Sequence, residues 1–162
     1  MMNSGNTVHT ESPGPIFNIQ KVYIKDTSFE TPHSPEVFKL EWKPDVHIDM
    51  QTKVAEIDKQ YFEVVLTLTV TVKLEEKVAF LAEVHQAGIF TIYGFEKDQL
   101  QHLLGSICPN ILYPYGREAI SALITKGGFP QLVLAPVNFE ALYREHLQAQ
   151  QQQEPVEEET VA

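Results

Sequence analysis

Asp26, Ser28 and Glu30 sit two residues apart in Ile16–Glu30, a stretch that reads as a strand, so the three side chains point to one side. At about 3.3 Å per residue the two carboxylates stand roughly 13 Å apart, beyond the roughly 5–9.5 Å over which an acid pair works on a glycosidic bond. Catalysis by this pair is a poor reading; a spread acidic docking surface, or plain solvated edge residues, are the alternatives. Leu81 and Glu83 share a face of a later strand and set one apolar contact beside one charge, the mix of an interface rim. The other reactive residue types do not converge. His9, His33, His47, His85, His102 and His146 are scattered, with no pair at metal-ligand spacing. Cys108, the only cysteine, falls near the end of an amphipathic helix, where a thiol is a small buried hydrophobe. No phosphate loop, dinucleotide glycine fingerprint, GxSxG elbow or HExxH helix is present. The sequence therefore calls for no catalytic residue, no metal and no cofactor.

The elements that position these residues can be read from periodicity. Along Tyr61–Leu74 the even positions Phe62, Val64, Leu66, Leu68, Val70, Val72 and Leu74 are apolar, and the odd ones include Glu63, Thr67, Thr69, Thr71 and Lys73. Period two with β-branched residues predicts a long strand with one buried face. After Glu75 and Glu76 the pattern resumes at Val78, Phe80, Ala82, Val84, Phe90 and Ile92, which predicts a hairpin, with Gly88 marking a bulge or bend. Ile16–Glu30 and Val37–Trp42 read as two earlier strands. Four strands with short connections make an antiparallel sheet. Leu100, Leu103, Leu104 and Ile107 then take helical spacing, and a second helix runs from about Asn110 to Lys126, with Pro109 kinking or separating the two. Asn138 is a candidate N-cap for a last helix carrying Phe139, Leu142, Tyr143 and Leu147. Strands first and helices afterwards predict an α+β fold. Leu81, Ile89 and Tyr93, on the odd face of the second hairpin strand, suggest burial against another subunit, with extra helix cover as the plain alternative.

The chain has 162 residues, one domain's worth, and a formal net charge of −10 from 12 basic and 22 acidic residues. That balance argues against unaided binding to nucleic acid or to anionic membranes. No window approaches the roughly 20 apolar residues of a membrane span, and no secretory signal pattern opens the chain. A single cysteine fits a reducing, cytoplasmic setting. Residues 1–15 read as a flexible arm, 16–147 as the folded domain, and 148–162, glutamine-rich and then acidic, as a disordered tail.

Four longer strings carry more information than periodicity does. They are Val22-Tyr23-Ile24-Lys25-Asp26-Thr27-Ser28-Phe29-Glu30-Thr31-Pro32; Phe80-Leu81-Ala82-Glu83-Val84 followed by Gly88-Ile89-Phe90; Cys108-Pro109-Asn110-Ile111-Leu112-Tyr113-Pro114-Tyr115-Gly116-Arg117-Glu118; and Phe129-Pro130-Gln131-Leu132-Val133-Leu134-Ala135-Pro136-Val137-Asn138-Phe139. In this order, from about Phe17 to Leu147, the chain closely resembles the SecB protein-export chaperone family. The resemblance implies a four-stranded antiparallel sheet with C-terminal helices packed on it. It also implies a cytosolic holdase, a homotetramer built as a dimer of dimers, that binds unfolded precursor proteins and passes them to the SecA ATPase without hydrolysing anything itself.

Residue by residue, the resemblance implies that Asp26, Glu30, Leu81 and Glu83 dock the basic, zinc-containing C-terminal segment of SecA, the zinc belonging to the partner. It implies a client groove, for which Trp42, Val46, Ile48, Met50, Tyr113 and Phe139 are candidates, ordinary core contacts being the alternative for each. It places Ala82, Val84 and Gln86 at the tetramer contact along the fourth strand. Two other functions stay open on residues alone: a structural oligomeric adaptor docking a basic partner, and a small-ligand-binding protein.

Overall fold

The computed structural model describes residues 14–153. Four strands, β1 (Ile16–Glu30), β2 (Asp45–Asp58), β3 (Tyr61–Leu74) and β4 (Lys77–Tyr93), form one antiparallel sheet in the order β1-β4-β3-β2. The period-two pattern of β3 decides which way the sheet faces: Phe62, Val64, Leu66, Leu68, Val70, Val72 and Leu74 are all at most 7% exposed. Phe80, Ala82, Val84, Phe90 and Ile92 of β4 continue that apolar face. A single helical run covers it, made of α1 (Lys97–His102), a π turn (Leu103–Ile107) and α2 (Cys108–Lys126), and α3 (Phe139–Gln153) follows. The α+β architecture is the expected one.

Four details depart from expectation. The strand predicted at Val37–Trp42 is absent: Glu36–Lys39 is a short 3-10 helix, and the missing strand is β2, further along. Phe38, Leu40 and Trp42 alternate, but Pro35 and Pro44 bracket them and leave no room for a ladder. Pro109 does not separate two helices. The preceding turn widens, so that Cys108 N–H donates to the Leu103 carbonyl, and the wider turn takes Pro109, which has no N–H to donate, into an unbroken run. Gly88 is not a bulge: its partners on β3 and β1 run in register through it. A Cβ there would lie 2.8 Å from the Phe90 ring and 2.9 Å from a Leu112 methyl, so the glycine is what lets α2 come down onto β4. Finally, α3 runs on past residue 148, where the tail was expected to begin. Gln148–Gln153 continue α3, because Gln and Ala hold a helix even where nothing packs on it; the rest of the tail and most of the arm lie outside the described residues.

The helix ends are well tied. Gly128, at φ +87°, closes α2 in a Schellman arrangement, with Gly128 N–H donating to the Thr125 carbonyl and Phe129 N–H to that of Ile124. The side chain of Asn138 caps α3 as expected, accepting from Ala141 N–H at 3.0 Å. The β3–β4 turn is less comfortable. Both of its central residues, Glu75 (φ 49°) and Glu76 (φ 67°), adopt left-handed backbone, the type I′ pattern that favours Asn-Gly.

Gly88→Ala is expected to destabilise the protein by about 1–3 kcal/mol in urea unfolding through forced separation of α2 and β4. Gly14→Ala, with nothing within 4 Å, should be neutral. Replacing Glu75-Glu76 with Asn-Gly should stabilise by about 1 kcal/mol in the same measurement.

Candidate functional site

The sheet has two unlike faces, and the predicted residues divide between them. On the face away from the helices, β1 and β4 pair so that Asp26 stands opposite His85, Ser28 opposite Glu83 and Glu30 opposite Leu81. Asp26, Glu30, Leu81 and Glu83 are thus gathered on adjoining rungs of one surface, with Asp26 and Glu30 exposed and Leu81 and Glu83 half-buried. The carboxylate of Glu83 is held on both oxygens: His85 Nε2 lies 2.5 Å from one, and the Thr69 hydroxyl donates to the other at 3.2 Å. His85 and Thr69 were not among the predicted site residues, although the i, i+2 spacing of Glu83 and His85 already places them side by side.

Not every carboxylate on this face is free to meet a partner. Glu63 receives the Lys25 ammonium at 2.6 Å and the Tyr23 hydroxyl, and these bonds hold its carboxyl below the usual carboxylate range. Burial, with Glu63 beside it, pushes the Tyr23 phenol up to about 12. Lys25, Glu63, Glu83 and His85 line one open trough together with Asp49 and Lys53 of β2. Glu63 is neutralised from within, so the uncompensated negative charge lies toward Asp26, Glu30 and Glu83.

On the helix face the cover is incomplete. α2 packs over β3 and β4 and leaves β2, an edge strand, without a lid. Val46, Ile48 and Val54 point to this apolar side yet are 37%, 48% and 44% exposed, and Met50 among them is half-buried. From Val46 to Val54 the strip runs about 26 Å. One end opens into a hollow of about 580 Å³ between β2 and α3, lined by Met50, Val54, Leu104, Phe139, Leu142 and Tyr143. The other end meets an aromatic cluster in which Phe38 and Trp42 pack on Phe129 at 5.0 and 6.1 Å, Phe38 remaining 51% exposed. Of the predicted groove residues, Trp42, Val46, Ile48 and Met50 follow this strip, and Phe139, only 5% exposed, forms the floor of the hollow. Tyr113 does not take part: it is 6% exposed, its ring stands edge-on to Phe139, and its hydroxyl donates to the Ala135 carbonyl, fastening the connector to α2. Val54, Leu142 and Phe38 belong to the strip and were missed, Val54 because β2 itself was.

The wall of the hollow is anchored by charge. Glu140 of α3 takes His102 Nε2 at 2.6 Å and the Ser106 hydroxyl at 2.8 Å on one oxygen, and these bonds, that of His102 foremost, hold its carboxyl below the usual range.

Ala82, Val84 and Gln86 are 0%, 0% and 3% exposed in the single chain, on the sheet face beneath α2. Gln86 donates to the Tyr23 carbonyl at 3.1 Å, and a Cβ on Gly116 would meet its side chain at 3.4 Å. Cys108 is buried, and that burial pushes its thiol up to about 12, far from a reactive thiolate. Among the described residues no group of three His, Cys, Asp or Glu is placed to hold a metal, and no helix is long and apolar enough to cross a membrane.

Comparison with known proteins agrees with this geometry. The family model for the preprotein translocase subunit SecB matches residues 10–151. The protein-export protein SecB of Methylococcus capsulatus is 56% identical over 146 residues, covering 90% of this chain and 94% of that protein. Its counterpart from Pseudomonas fluorescens is 51% identical over 153 residues, 94% and 96% of the two chains. Among solved structures, a SecB-like chaperone of Mycobacterium tuberculosis, in complex with a peptide from an antitoxin, shares the fold with a TM-score of 0.62 at 16% identity, over 75% of this chain and 90% of that one. A match that runs almost end to end, on a sheet with helices on one side, leaves one assignment: the chain belongs to the SecB family of protein-export chaperones.

Proposed function

We propose that this protein is a cytoplasmic holdase that works as a homotetramer, a dimer of dimers: it binds precursor proteins before they fold, keeps them competent for translocation and delivers them to the SecA ATPase. The observation that carries the reading is the uncovered strip on β2. Val46, Ile48 and Val54 lie in line, half exposed, beside a hollow floored by Phe139. A single apolar residue at a surface means little, whereas a continuous strip about eight residues long matches an extended segment of unfolded chain. Recognition by apolar area suits a binder of many sequences, because no polar group demands a particular partner. Discrimination then comes from time: a client that folds quickly buries the segments the strip would take, and a slow one does not.

The opposite face serves the second half of the task. Asp26, Glu30 and Glu83, beside the apolar contact of Leu81, would dock the basic segment of SecA. Charge matching of this kind favours fast, salt-sensitive association and easy release, as a handover requires. No bond is made or broken in either step, so the protein acts by binding alone.

Mixed with a slow-folding precursor and passed through a sizing column with light scattering, the protein should co-elute with the unfolded client and ignore the folded one. Ile48→Asp combined with Val54→Asp should weaken client binding about tenfold or more while leaving the oligomer and SecA binding unchanged. A tetramer that ignores both client forms would refute the holdase reading. Asp26→Lys combined with Glu83→Lys should do the converse, weakening SecA binding about tenfold at about 0.15 M salt with client capture intact. Equal loss of both activities would mark structural damage instead of a docking surface.

A further inference from the structure

We propose that His85 sets the charge of the acidic face, so that mild acid weakens the docking of a basic partner there. The inference rests on reading that face as the docking site, and it adds a residue and a condition that the reading does not contain.

His85 lies on β4 between two of the acidic residues, Glu83 two positions before it and Asp26 opposite on β1. Its ring is held at both nitrogens. Nε2 is 2.5 Å from the Glu83 carboxylate and Nδ1 is 3.4 Å from the Thr67 hydroxyl. In the neutral ring these contacts select one tautomer, with Nε2–H donating to Glu83 and Nδ1 accepting from Thr67. Adding a proton at Nδ1 asks only that the Thr67 hydroxyl rotate and accept where it had donated. The Glu83 bond stays in place, while the Glu83–His85 pair changes from one negative charge to none. The device therefore keeps its shape and loses its charge.

Facing His85 are Glu83 on its own strand, Asp26 on β1, Glu63 on β3 already engaged by Lys25, and Asp49 and Lys53 from β2 along the same trough. Carboxylates and lysines keep their charge between neutral and mildly acid pH, whereas an imidazole changes in that interval. The His85 ring is half-exposed, 32% accessible. Glu83, fixed between Thr69 and His85, presents a carboxylate that a lysine or arginine can meet, and a protonated His85 is a cation already occupying that place. His85 is thus a positioning residue for Glu83 above the transition and a competitor for it below.

The test measures the dissociation constant for purified SecA at about pH 8 and about pH 5.8 at constant ionic strength. It is repeated with a synthetic end-capped peptide whose only charged residues are lysine and arginine, so that no partner group titrates. Wild-type protein should bind about fivefold more weakly at the lower pH with either probe. His85→Gln, which keeps a neutral donor, should bind equally at both pH values and near the wild-type strength at the higher one. His85→Lys, permanently charged, should be weak at both. Elution as the wild-type oligomer and unchanged client capture confirm that the variants are folded. If wild type and His85→Gln lose affinity in parallel, the proton is taken up elsewhere and the inference is wrong while docking stands. If Asp26→Lys with Glu83→Lys binds SecA as tightly as wild type at about pH 8, the docking reading fails and the inference falls with it.

Discussion

The close seating of α2 on the middle of the sheet is the contact on which everything else depends. It is possible because two side chains are missing: at Gly88 a Cβ would strike Phe90 and Leu112, and at Gly116 it would lie 2.9 Å from a Leu68 methyl. With the helix that near, Leu66, Leu68, Val84 and Gln86 are sealed, and burial of the three aliphatic side chains supplies roughly 1.5–3 kcal/mol each. The same contact determines what is left over. A helix seated on β3 and β4 is too narrow to reach β2, and the apolar side of that strand stays open.

The sheet accordingly separates two kinds of binding physics. The helix side offers apolar area without direction, with aliphatic and aromatic groups left uncovered along β2. The far side offers charge with direction, because Glu83 is fixed by Thr69 and His85 and Glu63 is silenced by Lys25 and Tyr23. Internal pairing of Glu63 matters as much as the exposure of Asp26 and Glu30, since it confines negative potential to one end of the surface.

Much of this could be read in the chain, and what could not has identifiable causes. β3 and β4 were legible because their core faces are apolar at every position but Gln86, and the α3 cap because Asn138 precedes a helical pattern. β2 was overlooked although Asp45, Asp49 and Lys53 fall on the opposite face from Val46, Ile48, Met50 and Val54, because Thr52 interrupts the apolar series and the strand packs little, as edge strands do. The false strand at Val37–Trp42 shows the reverse error, alternation without length. The π turn escapes periodicity because the apolar run before it, Leu100 to Ile107, is too short to define a phase against which a shift of about 100° from one added residue would show. For the site, strand parity set Asp26 beside Glu30 and Leu81 beside Glu83, the resemblance joined the two pairs, and the β1–β4 register places all four on one face. Parity also puts Ala82, Val84 and Gln86 on the face opposite Glu83, and in the single chain that face lies beneath α2.

Placing an apolar strip and an acidic surface on opposite sides of a single sheet, about one strand-layer apart, has a kinetic consequence. Two ligands so placed do not overlap, so occupancy of one side cannot expel what is held on the other. A ternary complex is then the natural intermediate of any transfer, and the chaperone does not have to be empty before its receiver arrives. Release would have to be drawn by the receiver's own grip on the client, or by a strain passed through the sheet, and never by simple displacement. The thinness of the fold makes it a platform that can be read from both sides at once.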